Sequence, residues 1–175
     1  RPNLFPNGQS ADLIHAWTPR ECVRKFTIAY QRAAQSGSGV PPVGSKFPRL
    51  IIHLEDNEHF LLEGYTGQTF AQLRETGAAA LDALLNDSLP HPLRSESFLR
   101  IADGVTHIID KLAEFAPPDT PTHLLFPGVD FTLYRPQPAD AAFRTELGLR
   151  DDEKVIVFTG SNTFANEPEM RELYL

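Results

Sequence analysis

Four short apolar runs, separated by helix-patterned connections, constrain this chain more than any other feature. Ala11 to His15 (ADLIH), Arg49 to Leu54 (RLIIHL), Gly104 to Ile109 (GVTHII) and His123 to Phe126 (HLLF) each read as a strand, the first of them short and buried. None is joined to the next by a hairpin turn. Long helical connections bring the chain back to the same end of a sheet, so the strands pair in parallel with crossover helices. The fold class is α/β.

The connections carry their own signals. Thr18-Pro19-Arg20-Glu21 has the form of a capping box with proline at the first helical position. Behind it Val23, Phe26, Tyr30 and Ala33 recur at three and four, which lays one apolar stripe against a sheet. Gln35 to Pro48 reads as a flexible loop. After Leu54 comes the polar cluster Glu55, Asp56, Asn57, Glu58 and His59, where the chain leaves the sheet. Thr69-Phe70-Ala71-Gln72 is a second capping box, predicting one helix through Leu85 across Gly77, stopped by Leu89 to Pro92. A short helix from about Glu96 and another through Lys111 to Phe115, ended by Pro117-Pro118, flank the third strand.

Prolines in Gly128 to Pro138 interrupt all periodicity, and Ala139 to Leu147 then makes a small helix closed by Gly148. Val155 to Phe158 (VIVF) reads as a buried strand ending in Thr159-Gly160-Ser161, with Asn166-Glu167-Pro168-Glu169 capping a last helix. This order places a partial α/β domain over residues 1–135, and a linker with the first βα unit of a second domain over 136–175. No internal repeat breaks the pattern.

Composition removes several partners. The 175 residues, 41% hydrophobic, can supply a real core. A formal net charge of −7 with sixteen scattered basic residues argues against nucleic acid, which needs clustered Lys and Arg. No run is long enough to span a membrane, and contact with a membrane surface is left undetermined. Arg1-Pro2-Asn3 begins no signal peptide and reads as a cut end. Cys22 is the single cysteine, which excludes an internal disulfide and a cysteine-based zinc site and fits a reducing cytoplasm. The sequon Asn86-Asp87-Ser88 is short enough to arise by chance and is given no weight.

In open parallel sheets ligands bind beyond the carboxyl ends of the strands, where helix N-termini and loops converge. Three polar groups fall there: His15 with Trp17, His53 with Glu55 and Asp56, and the turn Gly160-Ser161-Asn162. An imidazole can donate from one nitrogen and accept at the other, so His53 suits a sugar hydroxyl near a reacting carbon. It equally suits a buried ring bonded to backbone. Trp17 either stacks on a sugar ring or packs beneath the helix, and His15 shares that choice. The Gly160 turn can bring backbone N–H groups close to a phosphate or serve as an ordinary tight connection. In HLEDNEH, His53 and His59 are six apart, a spacing that does not share a helix face, so no metal site is expected. No GxGxxG, Walker loop, GxSxG elbow or CxxC occurs.

The stretch PGVDFTLYRP, followed by RTELGLRDDEKVIVFTGS, resembles the interdomain crossing of retaining GT-B glycosyltransferases of the GT4 family. ADLIHAW is similar to the family's DVIH-type strand, RLIIHLED to its strand ending in histidine, and RIADGVTHIID to its alanine-aspartate strand. The resemblance runs in order from about Ala11 to Leu175. It implies two Rossmann-like domains in a partial GT-B architecture. It also implies transfer of a glycosyl group from a nucleotide sugar to a carbohydrate, lipid-linked or other hydroxyl acceptor, with retention and without metal or other cofactor.

By the same resemblance His53 is the histidine beside the donor sugar near the anomeric centre, and Gly160 is the glycine opposite the donor phosphates, with Ser161 next to it in the donor-binding turn. From their place at strand ends, and not from the resemblance, His15, Trp17, Glu55 and Asp56 are expected as acceptor or sugar contacts. The family's arginine after the glycine is Ser161 here, and Asp110 stands where serine is common. The family's N-terminal glycine-rich loop would precede Arg1, and its basic pair and paired glutamates would follow Leu175. The 175 residues alone are therefore expected to be inactive. Two other classes are open: a GT-B-fold sugar-nucleotide epimerase, and a non-catalytic α/β interaction module whose histidines are structural.

Overall fold

A computed structural model describes residues 11–36, 48–150, 152–161 and 166–173. The chain divides into two compact units after Phe126. In the first, β1 (Leu13–Trp17), β2 (Arg49–Leu54), β3 (Gly104–His107) and β4 (Thr122–Leu124) form one sheet in the order β1-β2-β3-β4, every pair parallel. Between them lie α1 (Glu21–Ser36), then α2 (Glu58–Thr66), α3 (Phe70–Glu75), α4 (Ala78–Leu84) and α5 (Ser95–Arg100), and a 3-10 helix over Asp110–Phe115.

Strand order decides which face is covered. Right-handed crossovers that always step in the same direction return over the same face of the sheet. The core reflects this. Ala16, Leu50, Ile52, Leu54 and Val105 project to one side and cluster with Phe98 and Leu99 of α5 and Leu112 of the 3-10 helix. Side chains alternate along a strand, so Leu13, His15, Trp17, Ile51, His53 and Thr106 occupy the other face. There Leu13 and Trp17 stay half-exposed. The first strand, expected to be buried, is buried on one side only, for that reason.

Local signals decided the helices unequally. Thr69 forms its capping box with Gln72, both reciprocal bonds being present. Thr18 does not cap α1: its φ is +67°, in the left-handed region, and its amide donates to the His53 carbonyl at 2.9 Å. Glu21 turns instead to Arg24 and Arg94. The single helix expected through Leu85 is two, α3 and α4, because the chain is extended at Thr76 and Gly77. The polar cluster after β2 leads directly into α2, capped by Asn57, whose side chain accepts from the Phe60 amide. Leu62, Leu73 and Leu81 of α2, α3 and α4 make a second small core.

In the second unit α6 (Ala141–Glu146) is capped by the Asp140 side chain, and Gly148 follows at φ +71°. That positive φ is costly for a residue with a Cβ and free for glycine. The helix α7 runs over Glu167–Leu173. Val155 to Phe158 is not a strand, because it has no ladder partner among the described residues, and Ile156 is 85% exposed. No helix among the described residues is long and apolar enough to cross a membrane.

Candidate functional site

Parallel register places Trp17, His53, Thr106 and His123 in one row across all four strands, near their carboxyl ends. His53 is 1% exposed, although it stands on the face opposite the core that the described helices of the first unit cover. Its cover is Trp17. The indole lies 4.2 Å from the imidazole, centroid to centroid, inclined by 37°. The Trp17 Nε1–H donates to Glu55 Oε2 at 2.5 Å, which holds the indole over the histidine. The positive φ of Thr18 turns the chain immediately after Trp17, and the Thr18 amide ties that turn to the His53 carbonyl. An observed strained residue beside such a cluster is a mark that functional sites share.

His53 Nδ1 pairs with Thr106 Oγ1 at 2.8 Å, and the same hydroxyl lies 3.4 Å from His15 Nε2. His15 meets His53 edge-on at 5.8 Å. His53 Nε2 is buried with no hydrogen-bond partner among the described residues. A buried nitrogen without a partner costs stability and is rare in native structures, so it marks a place where a ligand group can bind. Burial, the neighbouring His15 and then His107 lower the His53 pKa against an opposing pull from Glu55.

The sign of the linkage follows from that direction. The unfolded chain binds the proton at higher pH than the folded chain does. The stability held by neutral His53 is thus present above the ordinary imidazole pKa and is lost as pH falls below it. Trp17→Ala removes the cover, and the His53 titration midpoint is expected to rise toward the ordinary imidazole range. Proton NMR of the ring Cε1–H reads this directly, and an unmoved midpoint would mean that the indole is not what desolvates His53.

Asp56 faces away from this cluster. Arg20 binds it through Nη2 at 2.8 Å and holds Glu58 through Nε at 3.0 and 3.1 Å. Burial raises the Glu58 pKa, while Arg20 opposes that rise. Among the sequence candidates, His15, Trp17, His53 and Glu55 come together, and Asp56 serves the ion pairs that fix the start of α2. Trp17 does not pack beneath α1. Gly160 and Ser161 belong to the second unit, where the Asn166 side chain donates to the Ser161 carbonyl at 3.0 Å.

The sequence reading missed Thr106. Nothing local marks it, since its place beside His53 comes from pairing across 53 residues. It also missed a cleft of about 260 Å³ on the helix-covered side of the β2 end, lined by Leu54, Phe70, Phe115 and Pro117 among others. His59, the second histidine of HLEDNEH, stacks there on Phe70 at 3.6 Å and meets Phe115 edge-on. Among the described residues no group of three or more His, Cys, Asp or Glu is placed to hold a metal ion.

The arrangement offers a buried imidazole with one unpartnered nitrogen, an aromatic face and a carboxylate near the carboxyl end of a parallel sheet. Such a set can stack on a ring and hydrogen-bond to its polar groups. No family model, curated protein or solved structure matches this chain, so its function is read from this geometry.

Proposed function

We propose that this chain belongs to a cytoplasmic nucleotide-sugar glycosyltransferase of GT-B architecture, with residues 1–135 on the acceptor side and 136–175 opening the donor side. The observation that carries the reading is His53: a buried histidine at the carboxyl end of a central parallel strand, with Nε2 unpartnered among the described residues and the Trp17 indole stacked on its ring. Ligands of open parallel sheets bind at that end, and the resemblance assigns the same histidine to the donor sugar. Trp17 then offers a ring face to the acceptor or donor sugar, and Glu55 a hydrogen-bond acceptor to its hydroxyls. In the second unit the resemblance assigns Gly160 to the donor phosphates, with Ser161 standing in place of the family's arginine.

The test uses a chain extended at both ends, titrated with UDP, GDP and their sugars, then repeated with His53→Ala. Transfer is expected to fall roughly 100-fold or more, with nucleotide affinity retained. An unchanged rate would sink the assignment of His53.

A second reading, an α/β interaction module, is favoured by the sheet face against which no described helix of the first unit packs. Parallel sheets are normally covered on both faces, and Leu13 and Trp17 are half-exposed on this one. Failure of the extended chain to bind any nucleotide would favour it.

A further inference from the structure

We propose that the cleft on the helix-covered side of the β2 end binds a small amphiphilic anion, an apolar body carrying a carboxylate or phosphate head, with Arg74 and Arg100 at the head and the rings of His59, Phe70 and Phe115 along the body. The proposal stands on the first unit alone and does not depend on the glycosyl-transfer reading.

Four elements build the cleft. Leu54 lines it from the last position of β2, on the side of the sheet away from His53, and the chain then turns into α2, which carries His59. Phe70 opens α3, Leu99 lies on α5, and Phe115 ends the 3-10 helix. Leu54 and Leu99 also belong to the main core, so packing fixes that wall. The His59 ring stacks on Phe70 at 3.6 Å and meets Phe115 edge-on at 4.7 Å. Burial lowers the His59 pKa and Arg74 adds to the effect, against Glu63 and Glu114, so the three rings make an uncharged surface at neutral pH. At about 260 Å³ the cleft is a little smaller than the pockets of drug-sized ligands, about 300–1,000 Å³, and takes a short apolar body.

Charge decides the head group. Arg74 and Arg100 both line the cleft and share one carboxylate. Arg100 Nη2 donates to Glu96 Oε1 at 2.7 Å, and Arg74 Nη2 lies 3.4 Å from Glu96 Oε2. Two cations against one anion leave positive charge there, on side chains that are more than half exposed. A guanidinium carries five N–H donors in a fork that fits a carboxylate or a phosphate, and Glu96 engages few of them. The other acids of the cleft are already held. Asp56 and Glu58 both bond to Arg20, burial further disfavours the charged form of Glu58, and Glu114 pairs with Lys111 at 2.9 Å. An entering cation would compete with Arg20 and Lys111 for those carboxylates, whereas an entering anion joins two arginines that are short of one. The head stays near water, so the apolar body supplies most of the affinity and the arginines supply the choice of sign.

The test is proton NMR of the His59 ring in the 175-residue chain, titrated with decanoate, decyl phosphate and decyltrimethylammonium below micelle-forming concentrations. Either anion is expected to shift the His59 Cε1–H resonance with a Kd of about 1 mM or tighter while the His53 resonance stays in place, and the tighter anion names the head group. The cation, with the same tail, is expected to bind at least about tenfold more weakly. Two variants at exposed positions move the affinity in opposite directions. Arg74→Gln combined with Arg100→Gln is expected to weaken anion binding roughly tenfold, and Glu96→Gln, which releases both guanidiniums, to strengthen it. An unmoved His59 resonance, equal affinity for anion and cation, or one affinity shared by the parent and both variants would overturn the proposal. No readout here involves a nucleotide or turnover, so failure of this site leaves the glycosyl-transfer reading standing, and failure of that reading leaves this site standing.

Discussion

Phe98→Ala is expected to destabilise the first unit by about 4 kcal/mol, the largest loss of any single core truncation here. Phe98 is 1% exposed and packs from α5 into the cluster formed by Leu50, Ile52, Leu54 and Val105. Truncation removes the transfer free energy of the ring and leaves a void that β-strands, tied by their ladders, cannot collapse to fill. Domains of this size are stable by only about 5–15 kcal/mol. The urea midpoint is therefore expected to drop by about 2 M. Phe126→Ala, at a residue 72% exposed, is the control and is expected to shift stability by no more than about 0.5 kcal/mol. Equal losses in the two variants would mean that α5 is not the lid of this core. The effect reaches the site, because α5 leads directly into β3 and so places Thr106 beside His53.

The α/β class and the parallel pairing were legible because strand and helix periods differ and because no hairpin signal joins the strands. The Thr69 box and the Gly148 cap were legible for a similar reason: each is a local interaction within four residues. Thr18 shows where local reading fails. It has the residues of a capping box, yet the pull of the His53 carbonyl on its amide and the demand of Glu21 for two arginines outweighed a helix start worth about 1 kcal/mol. The helix α2 was hidden by the same cluster that drew attention as a site. Asn57 before Phe60, Leu61 and Leu62 is an N-cap pattern, and Gly67 closes that helix at φ +68°. His15, Trp17, His53 and Glu55 were legible as candidates because strand ends carry ligand sites. Their arrangement was not. The stacking of Trp17 on His53 and the Thr106 bridge depend on register between strands 36 and 53 residues apart, which no local pattern encodes.

Arg20→Ala is expected to cost about 3 kcal/mol at neutral pH, because it leaves Glu58 buried without its cation. Glu58 is 6% exposed, at the first position of α2, with Asp56 and Glu55 nearby. The helix N-terminus favours its carboxylate, but burial already raises its pKa and Arg20 is the group that holds it down. Removing Arg20 raises that pKa further. The folded pKa, already above the unfolded one, then moves further from it, so the added penalty is fully present above the folded value and is relieved as pH falls through it. The variant is therefore expected to regain stability relative to the parent as the pH is lowered from neutral through the raised Glu58 pKa. Adding Glu58→Gln to Arg20→Ala should recover more than half of the loss at neutral pH, since an amide buries more cheaply than an unpaired carboxylate. Chemical denaturation at neutral pH and below the Glu58 pKa reads each point, and a loss that is the same at both would mean that Glu58 is not the uncompensated charge. The same ion pairs anchor the turn from Glu55 to Glu58, so loosening them also loosens the carboxylate that holds Trp17 over His53. The His53 midpoint in Arg20→Ala should accordingly rise in the direction that Trp17→Ala moves it, and by less.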